Sequence, residues 1–189
     1  CEPYLTSDYR LMVEKSKKII EGIAIVLRLF EKADAIIGIE DNKPKAIDAL
    51  SFECNGNKRI NVMSLSTRYP QGGERRLISS VTGRQINSHI LPADAGVIVL
   101  NIATVIAIYE AVKMNMPLIH RVVTLTGDGM NEPGNVDVPL GISHKFLADK
   151  CGGLKDNTVK IISGGPMMGM AMDTLDYPIV KTSSSILAI

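Results

Sequence analysis

A short apolar run, an amphipathic stretch and a second apolar run follow one another between residues 34 and 65. The run "DAIIGIED" is closed by acids and is typical of a buried strand, and "NKPKAIDALSFEC" has helical spacing with Pro44 suited to its first turn. After the turn "NGN", the run "RINVMSL" is the next strand. Two strands joined by a helix over this length form a crossover, which requires them to be parallel. The sequence therefore predicts an α/β fold with a parallel sheet.

Helical patterns extend this layer on both sides. From Thr6 or Ser7 apolar residues recur at helical spacing, with Glu21 and Gly22 as a possible break into two helices. Downstream, we expect a helix over "ERRLISSVTG" that stops at Gly83, a third strand at "GVIVL" and a further helix over "NIATVIAIYEAVKMN".

The pattern changes after this α/β domain, which we place at residues 1–117. In residues 118–189, "RVVTLTG" and "NVDVPLG" alternate apolar and polar residues around the turn-rich "DGMNEPG", which predicts a β-hairpin. "ISHKFLADKCGG" predicts a short helix capped by Ser143 and stopped by Gly152, and "TVKIISGG" predicts another strand. A hairpin, a helix and further strands make a small α+β domain.

The composition excludes several classes of function. A net charge of +1 gives no footprint for nucleic acid. Cys1, Cys54 and Cys151 are far apart without C-x-x-C spacing, so we expect no disulfide framework and no zinc or iron–sulfur site within this chain. Asn101 and Thr104 interrupt the most apolar run, so we expect no membrane span. The chain begins at Cys and ends on an apolar run, and we expect it to belong to a longer protein.

The first candidate binding site is the strand-to-helix corner "STRYPQGGERRLI". In open α/β sheets ligands bind beyond the carboxyl ends of strands, where helix N-termini present free N–H groups. Gly72 and Gly73 leave the backbone accessible, Tyr69 could lie against a planar ring, and Glu74 offers an acceptor for ribose hydroxyls or an amide. A turn followed by a helix with a stabilising first-turn acid explains the same residues, so both interpretations stay open.

Three further segments have two interpretations each. Asn101 with Thr104 is either a helix cap or a holder for a phosphate or a flavin edge, and spacing alone favours the cap. Glu2 is either a ligand contact or a surface acid, which the residues alone do not separate. "ISGGPMMGM", residues 162–170, is either an anion-binding nest or a turn with apolar packing, and we favour the turn.

The sequence lacks the motifs that hydrolytic enzymes use. It contains no Ser/His/Asp set, no P-loop, no G-x-G-x-x-G and no close carboxylate pair. We therefore assign no catalytic residue and no metal ligand, and any chemistry would be carried by a cofactor.

Several ordered motifs resemble one known family. "CEPYLTSDYR", "GIEDNKP", "RYPQGGERRLI", "LPADAGVIVLNIAT" and "ISGGPMMG" together resemble the C subunit of Rnf electron-transport complexes, which is similar to the flavin-bearing, NADH-oxidising subunit of respiratory complex I. The second domain resembles the soluble-ligand-binding β-grasp domain. The resemblance implies a protein that passes electrons from NADH through FMN to iron–sulfur clusters. It also implies partner subunits in an ion-translocating complex, with this one peripheral on the cytoplasmic face of the membrane.

The resemblance also implies which residues line the flavin and nicotinamide site. On the family's motifs these are Glu2, Tyr69, Gly72, Gly73, Glu74, Asn101 and Thr104. Glu2 matches the end of an E-S-E-P segment that contributes an acid to the nicotinamide site. Gly73 stands where the family has a Glu, which weakens that pocket.

Two parts of the family pattern do not occur in this sequence. They are the glycine-rich phosphate loop, expected upstream, and the cysteine clusters for iron–sulfur centres, expected downstream. We therefore predict a middle segment that folds but binds FMN and NADH weakly or not at all. The alternative function is a scaffold that docks iron–sulfur modules and partner subunits without flavin, and a third is a separate ligand site in the β-grasp domain.

Overall fold

The computed structural model describes residues 2–87 and 89–189, which form two compact units. Tyr9–Asn115 is the first unit, and Glu2–Asp8 together with Met116–Ile189 is the second. The division after residue 115 lies close to the expected end of the α/β domain. Residues 2–8 group with the second unit, which differs from the expectation of one domain over residues 1–117.

The first unit contains helices around two parallel strands. Its elements are α1 (Ser7–Glu14, which begins in the second unit), α2 (Ser16–Leu27), β1 (Ala35–Glu40), α3 (Pro44–Glu53), β2 (Ile60–Leu65), α4 (Glu74–Thr82), a 3₁₀ turn (Pro92–Ala95) and α5 (Ile102–Met114). β1 pairs with β2 in parallel over their whole length, and α3 is the crossover between them. The predicted strand–helix–strand unit and parallel sheet are confirmed.

Local chemistry explains where these helices begin and end. Pro44 is the first residue of α3, where its missing N–H costs no helical hydrogen bond. Gly83 ends α4 with a left-handed backbone (φ 72°), and its N–H donates to the Ser79 carbonyl at 2.9 Å. Leu50 of α3 and Ile78 of α4 are almost fully buried. Both helices therefore pack through one apolar face.

The predicted break at Glu21 and Gly22 is wrong. α2 continues through both residues, and the interruption lies at Lys15, between α1 and α2. A Cβ at Gly22 would lie 2.5 Å from the Val105 carbonyl oxygen of α5. Gly22 thus permits the close approach of α2 and α5 rather than ending a helix.

The predicted third strand at "GVIVL" is also wrong. Residues 97–100 have no regular secondary structure, and within the described residues they pair with no strand. Ile98 is 58% and Leu100 40% exposed, so the run is not a buried strand. The apolar pattern was not enough to predict a strand, because strand formation needs a neighbouring strand that the local sequence does not specify.

The second unit is a five-stranded mixed sheet with one helix. Its elements are β3 (His120–Thr126), β4 (Gly134–Pro139), α6 (His144–Lys150), β5 (Ile161–Ser163), β6 (Met170–Ala171) and β7 (Ser185–Ala188), with the strand order β4-β3-β7-β5-β6. β7 runs parallel to β3, and the other neighbours are antiparallel. The predicted hairpin is β3–β4, and the Ser143 hydroxyl caps α6 by accepting from the Phe146 N–H.

The core of the second unit lies between its sheet and α6. Val123 and Leu125 of β3, Leu147 of α6 and Ile186 of β7 are buried together. The apolar end of the chain thus becomes a central strand. Within residues 2–87 and 89–189, no helix has the length and apolar character needed to cross a membrane.

Candidate functional site

The carboxyl ends of β1 and β2 are joined by one side-chain link. The Thr67 hydroxyl and the Thr67 N–H both donate to Asp41 Oδ1, at 2.6 and 3.1 Å. The hydroxyl bond is the main reason that the pKa of Asp41 lies below its ordinary value of 3.8. This link holds the ends of the two strands together, and the first candidate corner follows directly after it in the chain.

The first corner is a tight double turn that leads into α4. The Gln71 N–H donates to the Arg68 carbonyl, and the Gly73 N–H donates to the Pro70 carbonyl at 2.8 Å. Gly73 is the residue before α4, and Glu74 is its first residue. The structure therefore brings four predicted residues together at one helix start, namely Tyr69, Gly72, Gly73 and Glu74.

This corner faces solvent. The Tyr69 ring is 65% exposed, and the two glycines and Glu74 are exposed as well. In the part of the chain that the structure describes, the N–H groups of Glu74, Arg75 and Arg76 have no hydrogen-bond acceptor. Free N–H groups at a helix start attract anions and carbonyl oxygens.

The second predicted corner is the start of α5. The Asn101 side chain accepts a hydrogen bond from the Ala103 N–H at 2.8 Å, so Asn101 is the N-cap of α5, as the spacing predicted. Thr104 is the third residue of this helix, and both side chains are exposed. The capping role is confirmed, and a flavin contact by the same two residues stays a prediction.

Glu2 lies in the second unit, where its carboxylate is bound by backbone. The Met167 N–H donates to Oε2 at 3.1 Å and the Met168 N–H donates to Oε1 at 2.8 Å. The turn expected in "ISGGPMMGM" is present at residues 166–168, but the apolar packing expected with it is wrong. Met167, Met168 and Met170 are 50%, 88% and 76% exposed, while the loop backbone holds an anion.

A groove beside the first corner was not predicted. It has a volume of about 400 Å³ and is lined by Met63, Ser64, Leu65, Ser66, Arg68, Gln71, Arg76 and Ser80. Gln71 is 6% exposed, and its side-chain nitrogen has no hydrogen-bond partner among the described residues. None of the seven predicted site residues lines this groove. Sequence reasoning missed both features. The Asp41–Thr67 link joins residues 26 positions apart, and the groove depends on how the segment from β2 to α4 folds back on itself.

The exposed residues at the first corner fit a flavin nucleotide. An exposed Tyr ring suits a planar ring system, free N–H groups suit phosphate or carbonyl oxygens, and Glu74 can accept from hydroxyl groups. Among the described residues, no group of three or more His, Cys, Asp and Glu side chains could hold a metal ion.

Comparison with known proteins identifies the family of this chain. Residues 1–110 match the family model described as the Nuo51 FMN-binding domain, and residues 122–171 match the SLBB domain. Because the first match covers more than half of the chain, the chain belongs to the Nuo51 FMN-binding family.

The curated relatives define the resemblance more closely. The chain is 50% identical to the C subunit of the proton-translocating ferredoxin:NAD(+) oxidoreductase complex of Clostridium ljungdahlii, over all of this chain and 41% of that protein. It is 41% identical to the C subunit of the Na(+)-translocating ferredoxin:NAD(+) oxidoreductase complex of Acetobacterium woodii, over all of this chain and 43% of that protein. The chain therefore spans less than half of these relatives, and the resemblance to the Rnf-type C subunit is confirmed.

A solved structure shares the fold. A chain in the crystal structure of an NAD+-reducing [NiFe]-hydrogenase in the air-oxidized state matches all of this chain and 38% of its own length, with a TM-score of 0.82 and 17% identity. The predicted fold class, α/β followed by a small β-grasp-type domain, is confirmed by this likeness together with the family matches.

Proposed function

We propose that this chain is the flavin- and nicotinamide-binding region of an Rnf-type C subunit that passes electrons between NADH and iron–sulfur clusters in an ion-translocating complex. The observation that carries the proposal is the match of residues 1–110 to an FMN-binding domain, combined with the exposed corner at residues 69–74 that leads into α4. The other subunits of the complex are the proposed partners. We also propose a peripheral position on the cytoplasmic face of the membrane.

The first corner has the groups that such a site needs. FMN, when bound, supplies the conversion of hydride transfer from NADH into one-electron steps. In this proposal the Tyr69 ring lies against the flavin, and the accessible backbone of Gly72 and Gly73 approaches it. The Glu74 carboxylate accepts hydrogen bonds from the nicotinamide nucleotide.

The start of α5 contributes the second part of the proposed site. Asn101 and Thr104 are exposed at a helix N-terminus, where partial positive charge favours a flavin carbonyl or phosphate. Because the Asn101 oxygen already accepts from the Ala103 N–H, its flavin contact would use a different atom or the backbone of this helix start. Glu2 is given no role in this proposed site, because both of its carboxylate oxygens accept hydrogen bonds from the Met167 and Met168 N–H groups of the second unit.

The proposal is tested by titrating FMN and NADH into a longer form of the chain that includes the family's glycine-rich loop. We expect saturable binding by this form and weak or no binding by residues 1–189 alone. Glu74→Ala should weaken NADH binding by about tenfold or more, the effect of losing one charge-assisted hydrogen bond. Asp48→Ala, which removes an exposed acid of α3 in the same unit, is the matched control and should leave both affinities unchanged.

The scaffold function is the competing outcome of this titration. Gly73, where the family has a Glu, is the observation that favours it. If the folded, longer form binds neither FMN nor NADH, the enzyme proposal is refuted and the scaffold function is favoured. Equal affinities for the wild type and Glu74→Ala would refute the assigned role of Glu74 alone.

A further inference from the structure

The loop after β5 has a shape that only glycine permits. Gly164 has a left-handed backbone with φ of 103°, and its N–H donates to the Ser185 carbonyl at 2.9 Å. The loop closes where the Gly169 N–H donates to the Gly165 carbonyl at 2.8 Å. A Cβ at Gly169 would lie 2.4 Å from that carbonyl oxygen. The strand β7 and the closing hydrogen bond thus fix the backbone between these glycines.

This fixed backbone binds the two oxygens of one carboxylate. The N–H groups of Met167 and Met168 are consecutive, and each donates to a different oxygen of Glu2, at 3.1 and 2.8 Å. Successive N–H groups that converge in this way form an anion-binding nest, and hydrogen bonds to a charged acceptor are stronger than neutral ones. A Cβ at Gly165 would lie 2.0 Å from Glu2 Oε2, so the carboxylate fills the space that this glycine leaves.

The segment that carries Glu2 is fixed at its other end as well. The N–H groups of Thr6 and Ser7 both donate to the Thr124 hydroxyl of β3, at 3.3 and 3.1 Å. That hydroxyl donates to Asn135 Oδ1 at 2.7 Å. Because both ends of the segment are held on the second unit, the carboxylate meets the loop with little further loss of conformational freedom.

We infer that Gly164–Met168 is a carboxylate-binding site and that Glu2 is its resident ligand, which ties residues 2–8 to the second unit. The side chains of Met167 and Met168 are exposed, so the loop binds the carboxylate through its backbone N–H groups. This inference needs no cofactor, so it stands or falls independently of the proposed function.

The test follows the two N–H groups directly. The chain contains nine Met residues, so ¹⁵N-methionine labelling yields few amide signals, and Met167→Leu and Met168→Leu assign the two of interest. In Glu2→Ala we expect hydrogen exchange at these two amides to be about tenfold faster, because each loses a charge-assisted hydrogen bond. Asp173→Ala, which removes an exposed acid of the same unit, is the control and should change neither rate. Unchanged exchange at both amides in Glu2→Ala would overturn the inference.

Chemical rescue separates a binding site from a mere contact. Sodium acetate added to Glu2→Ala should move both amide signals back toward their wild-type positions and slow their exchange, with saturation. Sodium chloride at the same ionic strength should do neither. Equal effects of the two salts would show that the loop has no carboxylate site and would refute the inference.

A second variant covers the case in which Glu2→Ala fails to fold. Gly165→Ala retains the acid but places a methyl group where Glu2 Oε2 lies, so the same two amides should exchange faster. Gly134→Ala is the matched control, because a Cβ there meets no atom within 4 Å. If the Met167 and Met168 amides exchange at the same rates in Gly165→Ala as in Gly134→Ala, the inference is contradicted.

Discussion

Two glycine pairs follow strands in this chain, and their surroundings are opposite. Gly72 and Gly73 follow β2 in an exposed corner, where the next N–H groups along α4 have no acceptor within the described residues. Gly164 and Gly165 follow β5, and the N–H groups after them are bound to Glu2. A glycine pair by itself therefore does not identify a ligand site, because the chain can supply the anion itself. The open corner is the one that leaves these groups available for the external ligand that the proposed function assigns to it.

The largest expected effect is a loss of stability, and it differs between the two loops because the loop after β5 is closely packed and the corner after β2 is open. Gly169→Ala forces a methyl group to within 2.4 Å of the Gly165 carbonyl oxygen and 2.5 Å of Ile162 Cγ2. We expect it to lower the free energy of unfolding by about 2–3 kcal/mol, as overpacking does. In Gly73→Ala the methyl group meets Pro70, at 3.1 Å from the carbonyl oxygen and 3.9 Å from Cβ, so the loss should stay below about 1 kcal/mol.

Urea denaturation of both variants measures this difference. Equal losses in Gly169→Ala and Gly73→Ala would contradict the contrast between a closed and an open loop.

The next largest effect is the loss of stability when a helix cap is removed, and each unit offers one such cap. Asn101→Ala and Ser143→Ala each remove a side chain that accepts from a first-turn N–H, so each should lower the free energy of unfolding by about 1 kcal/mol. Only Asn101→Ala should also weaken FMN binding by the longer form of the chain. Thermal denaturation and FMN titration of both variants separate the two roles. A loss of stability without a loss of FMN affinity in Asn101→Ala would remove Asn101 from the proposed site.

These comparisons also show which features the sequence could predict. The strand–helix–strand unit follows from local patterns, since Pro44 and the apolar runs on either side of α3 mark its boundaries. The error at Gly22 has a long-range cause, because the glycine fits against Val105, which lies far along the chain. The role of Glu2 depends on a loop beginning at Gly164, so "CEPYLTSDYR" alone could not separate a surface acid from a bound one.

A smaller effect is the pH dependence of the stability that the Asp41–Thr67 link contributes beside the open corner. The hydrogen bonds from Thr67 lower the pKa of Asp41 below 3.8, so the bond stabilises the fold above about pH 3.8, and this contribution is lost as the pH falls through the lowered pKa. Thr67→Val should therefore destabilise the protein more at about pH 6 than at about pH 3. Thr82→Val removes a hydroxyl that bonds only uncharged backbone groups and is the control. Urea denaturation at both pH values measures the difference, and an equal loss at both would contradict the assigned role of Asp41.

The smallest effect concerns the Cys151 thiol of the second unit. Burial, followed by the nearby charge of Glu132, raises the pKa of Cys151 above 9.0. We expect this thiol to react with iodoacetamide more slowly than an unfolded cysteine, in a form whose other two cysteines are replaced by Ala. Since the unfolded thiol ionises first, this group should also make stability fall as the pH rises above about 9.0, and Cys151→Ala should remove that loss. Alkylation at the rate of an unfolded cysteine would contradict the assignment.

The most direct test of the central claim is an experimental structure of the longer form of the chain with FMN bound. The proposed function predicts flavin density in van der Waals contact, within about 4 Å, of the Tyr69 ring and the Gly72–Gly73 backbone, with the start of α5 at Asn101 also in contact. Flavin density at another part of the chain, with Tyr69 and Asn101 both away from it, would contradict the account.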